Sequence, residues 1–146
     1  MIDIKYPAPD FKYKTIEGNQ YIFDIIRKKY VRLSPEEWVR QNFLNYLLKF
    51  KAYPKGLISV EKEIKINHLR KRYDIVVYDT QRKPWMLIEC KAPQVLLTED
   101  TFHQLLRYNQ VISAPYWTLT NGKQSFCAYH HNQKIEWLLD LPINEL

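Results

Sequence analysis

Two stretches decide the fold: Arg72-Tyr73-Asp74-Ile75-Val76-Val77-Tyr78-Asp79 and, after a short break, Trp85-Met86-Leu87-Ile88-Glu89-Cys90-Lys91. Each is a strand-length apolar run with charged residues at its ends. Joined through a turn near residues 80–84, the two runs pair as antiparallel neighbours. A register that sets Asp79 against Pro84 also sets Asp74 against Glu89. Residues opposed on one face have Cβ atoms about 5 Å apart, close enough for two carboxylates to share one Mg²⁺. Lys91 follows Glu89 by two residues and falls on the same face, whereas Cys90 points the other way.

A hard divalent cation held by two carboxylates can polarise a phosphate, acidify a water and offset charge in a phosphodiester transition state. Asp74 and Glu89 would hold the ion, and Lys91 would orient the water or neutralise the phosphoryl oxygens. On spacing alone, a surface Asp beside a cross-strand Glu/Lys ion pair accounts for these residues equally well. The context separates the two. Trp85-Met86-Leu87-Ile88 is apolar at every position, as in a strand covered on both faces, so an acid and a lysine at its end belong to a buried mouth of the sheet.

Outward from this pair, Leu57 to Ile66 reads as a preceding strand, with Ile58, Val60, Ile64 and Ile66 largely in period two, and Asn67-His68-Leu69 as the turn that completes a three-strand meander. Upstream, Ser34-Pro35-Glu36-Glu37 opens a helix, with Ser as N-cap, Pro at the first helical position and Glu37 closing a capping box. Val39, Phe43, Leu47 and Phe50 continue it at helical spacing, and Tyr53-Pro54-Lys55-Gly56 ends it. Residues 12–33 carry a lead-in hairpin, with Tyr21 to Ile26 and Tyr30 to Leu33 as strand material and a turn at Glu17-Gly18-Asn19. Downstream, Thr98 or Thr101 caps a second helix through roughly Ile112. Tyr116 to Thr120 and Ser125 to Tyr129 flank the hairpin dipeptide Asn121-Gly122, and Ile135 to Leu139 closes the chain as a strand. The order predicts an α/β (α+β) fold, a mixed sheet flanked by helices with N-terminal and C-terminal β-hairpins.

The chain of 146 residues fits a single domain spanning 1–146, with 1–33 as an N-terminal extension and 34–122 as the core that bears the motifs. Hydrophobic residues make up 46% and charged residues 26%, and three glycines with eight prolines exclude low-complexity behaviour. A formal charge of +6 and a pI near 9.2 favour polyanions without establishing one as a partner. The N-terminus lacks a basic start followed by an apolar core, and no apolar run approaches the roughly 18 residues a membrane span needs, so the expected location is the cytoplasm with no membrane partner. Cys90 and Cys127 have no metal-ligand spacing and read as buried thiols. His68 in a turn, His103 on the second helix and His130-His131 in a loop read as solvated, and Arg70-Lys71-Arg72 as a basic run able to meet phosphates. The tryptophans Trp38, Trp85, Trp117 and Trp137 read as core rather than as base-stacking platforms.

Tyr73-Asp74-Ile-Val-Val-Tyr-Asp79, Leu87-Ile-Glu89-Cys-Lys91-Ala-Pro93, Gln104-Leu-Leu-Arg-Tyr108 and Thr120-Asn121-Gly122 together resemble the N-terminal nuclease domain of type I restriction enzyme R subunits, within the PD-(D/E)XK nuclease superfamily. The resemblance runs in matching order from about Pro35 to Gly122, and departs in having Tyr73 where the motif expects Pro. It implies a restriction-endonuclease-like core, Mg²⁺ (or Mn²⁺) held by Asp74 and Glu89, and Lys91 as the catalytic lysine. It also implies an acid from the first helix, for which Glu36 and Glu37 compete. The family's Glu stands four residues before an Arg, which matches Glu36 and Arg40. Glu36 also shares a helix face with Val39, Phe43 and Leu47, while capping accounts for Glu37. Gln104 and Tyr108 match the Gln-x-x-x-Tyr motif and are assigned to supporting the site or touching nucleic-acid backbone.

The expected function is Mg²⁺-dependent hydrolysis of DNA phosphodiester bonds in a restriction or defence role. The chain carries no GxxxxGK[ST] loop and so no motor of its own, which leaves it to act alone, as a homo-oligomer, or with a helicase or specificity partner. The rival readings are a non-catalytic nucleic-acid-binding or assembly module of the same fold, and a nuclease acting on RNA or on branched or damaged DNA.

Overall fold

The computed structural model of the protein describes residues 1–108 and 112–144; the side chains of Ile66 and Tyr108 lie outside that description. Its main element is a six-stranded mixed sheet made of β4 (Ile58–Ile66), β5 (Leu69–Tyr78), β6 (Pro84–Cys90), β7 (Tyr116–Thr120), β8 (Ser125–His131) and β9 (Lys134–Trp137), in that spatial order. β1 (Tyr13–Ile16), β2 (Asn19–Asp24) and β3 (Lys29–Arg32) form a separate antiparallel sheet. Helices α1 (Pro35–Lys49) and α2 (Glu99–Tyr108) complete the expected α+β architecture.

β6 is the pivot of the sheet. It pairs antiparallel with β5 and parallel with β7, and the parallel pair requires a crossover, which α2 provides. Met86, Leu87 and Ile88 are all but inaccessible to solvent. Met86 and Ile88 pack with Ile75, Val77 and the α1 residues Val39, Phe43 and Leu47, whereas Leu87 packs with Val76, Trp117, Leu119 and the α2 residue Phe102. Burying each such side chain contributes roughly 1.5–3 kcal/mol, and a one-residue slip of β6 would exchange the two faces.

Several expectations are corrected in detail. The lead-in hairpin is a three-stranded sheet, because Tyr13–Ile16 adds a strand against β2 through a tight turn at Glu17 (φ 50°) and Gly18 (φ 81°). β5 begins at Leu69, not Arg72, so Arg70, Lys71 and Arg72 belong to a long β4–β5 hairpin and Asp74 lies within the strand. The β5–β6 ladder keeps the expected register at Ile75–Ile88, Val76–Leu87 and Val77–Met86, then shifts, so that Tyr78 and not Asp79 faces Pro84. The Asp79 carboxylate instead closes the turn by accepting from the Gln81 and Lys83 N–H groups. His130 and His131 lie in β8 rather than a loop. The second helix is described to Tyr108; the part of the expectation falling on Asn109 to Val111 lies outside the described residues. Asn121-Gly122 begins a four-residue loop between Thr120 and Ser125, in which Asn121 Oδ1 accepts from the Lys123 and Gln124 N–H groups. The C-terminal hairpin is thereby part of the central sheet.

The N-terminal sheet is tied to α1 by polar contacts. Asp24 is fully buried; its Oδ1 accepts from the Ile26 and Arg27 N–H groups, and its Oδ2 from Arg27 Nε at 2.6 Å and Gln41 Nε2 at 2.9 Å. Burial opposes its ionisation, but the bonds from Arg27 and Gln41 outweigh that and hold its carboxyl below the ordinary 3.8. The resulting stability is present above pH 3.8 and is lost as pH falls through the depressed folded value. In urea denaturation, Asp24→Asn should cost about 2 kcal/mol at pH 7, and the gap to wild type should narrow as pH falls below about 4; a gap unchanged from pH 7 to pH 2.5 would contradict the assignment.

Candidate active site

β5 loses its regular alternation at Asp74. Tyr73 packs on the α2 side of the sheet and Ile75 on the α1 side, although residues two apart in a strand share a face. In the neighbouring strand Glu61 has a φ of 55°, and the β4–β5 ladder pairs Val60 with Ile75 and Lys62 with Tyr73 while passing over Glu61 and Asp74. At this irregularity the Asp74 carboxylate meets both the end of β6 and helix α1. Its Oδ2 accepts from the Cys90 N–H at 2.9 Å, and its Oδ1 from Arg40 Nη2 at 2.6 Å. The Cys90 contact places Asp74 beside the Glu89–Cys90 end of β6, as the register expects.

Glu89 lies across from Asp74, and the two carboxyl groups interact directly. Burial, then the charge and hydrogen bonding of Asp74, push the Glu89 carboxyl from 4.5 up to about 8, against the opposing pull of Lys91. Lys91 continues the strand direction, with its N–H bonded to the Thr120 carbonyl at 2.8 Å. Glu89 and Lys91 line a cleft of about 330 Å³ together with Arg70, Arg72 and Leu105. Leu105 comes from α2, and Gln104 beside it is exposed; the Tyr108 side chain lies outside the described residues.

The helix acids sit otherwise than the shared-face argument expects: Glu37 is buried and Glu36 is exposed. Glu36, with 48% of its side chain accessible, stands at the site's mouth, 3.7 Å from Arg40 Nη2; burial and then the charge of Asp74 raise its carboxyl above the ordinary range. Ser34 does cap α1, its Oγ accepting from the Glu37 N–H at 3.1 Å. The Glu37 carboxylate, however, does not complete a capping box. It is buried, its Oε1 accepting from Arg40 Nη1 and Arg27 Nη2 at 2.8 Å each and its Oε2 from Gln41 Nε2 at 3.1 Å.

Arg40 is therefore the group that joins the layers. Its guanidinium, 6% accessible, reaches Glu37 and Glu36 on α1, Glu61 on β4 at 3.0 Å and Asp74 on β5. Burial works against its charge, but Glu37 and then Asp74 more than offset this and hold it protonated beyond the ordinary arginine range. Its spacing after Glu36 and Glu37 is a sequence signal for these helix pairs; nothing in the pattern marks Glu61, whose role depends on a local backbone turn.

No group of three or more His, Cys, Asp or Glu side chains stands ready as a metal-ligand set among the described residues. The candidate is a two-carboxylate site, the kind Mg²⁺ accepts because it keeps several waters. Asp74 and Glu89 fit such an ion, being hard oxygen donors brought together with Lys91 nearby.

The raised carboxyl of Glu89 has a consequence for stability. A raised acid leaves the metal-free fold unpenalised below pH 4.5, and the penalty grows as pH rises towards 8. Glu89→Gln should therefore raise the melting temperature in EDTA at pH 8 by on the order of 5 °C, with little effect at pH 4.5. An equal effect at both pH values, or a lower melting temperature at pH 8, would refute the strained pair.

The sequence matches the family described as type I restriction enzyme R protein N terminus (HSDR_N) over residues 35–142, a span that begins at α1 and includes every residue of the cleft. No curated protein matches the chain. With about three-quarters of its length covered, including both helices and the whole central sheet, the chain belongs to the type I restriction enzyme R protein N-terminus family.

Proposed function

We propose that the chain is a Mg²⁺-dependent nuclease that hydrolyses DNA phosphodiester bonds in a restriction-like role. The observation that carries this reading is the direct contact of two carboxylates, Asp74 and Glu89, the second of which lines a cleft together with Lys91. Family membership supports a restriction nuclease-like role. Asp74 and Glu89 would hold the ion, which when bound supplies Lewis-acid polarisation of the phosphate and a more acidic water. The Cys90 N–H and Arg40 fix the Asp74 carboxylate, so that it meets a ligand already oriented. Lys91 adds a cation on the same side, suited to orienting the attacking water and meeting charge on the phosphoryl oxygens. Glu36, half in solvent at the mouth, is placed to take a proton or hold a water there.

The walls suit a polyanion. Arg70 and Arg72, each about 70% accessible, project from the β4–β5 hairpin beside the cleft, and their contacts to Glu63 and Glu61 are long, at 3.8 and 3.6 Å. Exposed pairs of this kind contribute about 0–1 kcal/mol, so a phosphate can displace them readily.

One observation favours a second reading, a binding module without chemistry: both Asp74 oxygens already have donors, Arg40 and the Cys90 N–H. The two readings separate in one assay with plasmid, linear and single-stranded DNA and RNA, in Mg²⁺, Mn²⁺ or EDTA. The nuclease reading expects metal-dependent cleavage of DNA that Asp74→Ala and Lys91→Ala each lower by about 10²–10³-fold. Salt-sensitive binding with no cleavage under any metal condition would establish the module instead.

A separate expectation concerns the hairpin. Arg70→Gln/Arg72→Gln should weaken DNA binding and reduce the slope of log K against log salt by about 2, with the rate at saturating DNA little changed. An unaltered slope in fluorescence-anisotropy titrations would remove the hairpin from the interface.

A further inference from the structure

Residues 1–34 lie outside the span matched by the family, yet a continuous run of buried charge leads from them to Asp74. It starts in the turn after β2, where Asp24 holds Arg27 by Nε at 2.6 Å. Arg27 Nη2 donates to Glu37 Oε1 at 2.8 Å, and the same oxygen accepts from Arg40 Nη1 at 2.8 Å. Through its other terminal nitrogen Arg40 donates to Asp74 at 2.6 Å and Glu61 at 3.0 Å. Gln41 cross-links Asp24 and Glu37, at 2.9 and 3.1 Å. Among the described residues Arg40 Nε has no hydrogen-bond partner, so the guanidinium sits where its two ends are pulled and not where all its donors are satisfied.

This arrangement sets a competition for one cation. Glu37 and Asp74 are both buried or nearly so, and Arg40 lies between them. Arg27 supplies Glu37 with a second positive partner, which leaves Arg40 free to extend to Asp74. Without Arg27, Glu37 would face Arg40 with its whole charge uncompensated in a dry environment, where such pairs are strong, and would draw the guanidinium towards α1. Asp74 would then lose the donor at Oδ1 that fixes its orientation at the cleft.

We propose that Arg27, held by Asp24 in the N-terminal sheet, is a positioning residue for Asp74, acting through Glu37 and Arg40; its bearing on catalysis rests on the nuclease reading above. The turn after β2 is thereby linked to Asp74 through Asp24 and Arg27.

The test compares wild type with Arg27→Gln, Arg27→Lys, the double variant Arg27→Gln/Glu37→Gln, and Ile22→Ala. The last loosens the same sheet at a buried apolar side chain and controls for loss of stability. Crystal structures of wild type and the glutamine variants are read first. In Arg27→Gln the Arg40 guanidinium should have moved onto Glu37 and left Asp74, and in the double variant, where Glu37 no longer carries charge, it should return. Cleavage is read second, well below the melting temperatures. Arg27→Gln should lower kcat about tenfold with KM within about twofold, while Ile22→Ala stays near wild type and the double variant and Arg27→Lys recover most of the loss. An Arg40–Asp74 contact preserved in Arg27→Gln, or a double variant no better than the single one, would overturn the proposal. If wild type cuts nothing but Arg40 shifts as stated, the linkage holds and the nuclease reading alone fails.

Discussion

The structure turns on a like-charge contact that its own core enforces. Met86, Leu87 and Ile88 are buried on both faces of β6, and their packing against α1 on one side and α2 on the other fixes the register with β5. That register brings the Asp74 and Glu89 carboxyl groups together at the end of a dry layer. No adjustment of the strands could separate them without exposing apolar side chains that each stabilise the fold by a few kcal/mol. The repulsion is accommodated locally, by a proton on Glu89, by Lys91 and by Arg40.

Arg40 shows how the surrounding charges are shared. A buried guanidinium with carboxylates from α1, β4 and β5 is costly to desolvate, and only dense pairing makes it tolerable. Its position explains why neighbouring acids on one helix behave differently. Glu37 turns inward to Arg40, Gln41 and Arg27, and becomes part of the scaffold. Glu36, one residue earlier and about 100° round the helix, stays at the solvent boundary within reach of the charges of Asp74 and Lys91.

Much of this is legible in the sequence because apolar runs of strand length constrain pairing strongly. Ile75-Val76-Val77 and Met86-Leu87-Ile88 read as adjacent strands, and their register by itself sets Asp74 by Glu89; Ser34-Pro35 likewise marks the start of α1. What the pattern does not carry are contacts between side chains far apart in sequence. Glu37 has a local role available as a capping-box acid, and only the spatial arrival of Arg27, ten residues earlier, shows that a stronger partner displaces it. Glu61 is hidden for another reason: its place depends on a left-handed backbone in β4, and glutamate has no intrinsic preference for that conformation. The turn at Asp79 departs from the pattern because an Asp that bonds its own loop competes with one that continues the ladder.

The distribution of charge bears on whether the cleft is built for chemistry or for binding alone. Asp24, Glu37 and Asp74 each have an arginine within 2.8 Å, and Glu61 has one at 3.0 Å. Glu89 is instead held against the Asp74 carboxyl group, with burial and Asp74 both acting against its ionisation. A glutamine there would keep the size and shape of the cleft and relieve the strain. On the nuclease reading proposed above, the Glu89 carboxylate serves a cation. A dication at that point would convert the least favourable contact in the site into its strongest, and would carry positive charge to the cleft that Arg70, Arg72 and Lys91 already make attractive to a phosphate. On that reading, the contact that strains the fold and the pair that would serve phosphodiester hydrolysis are the same two carboxyl groups, Asp74 and Glu89.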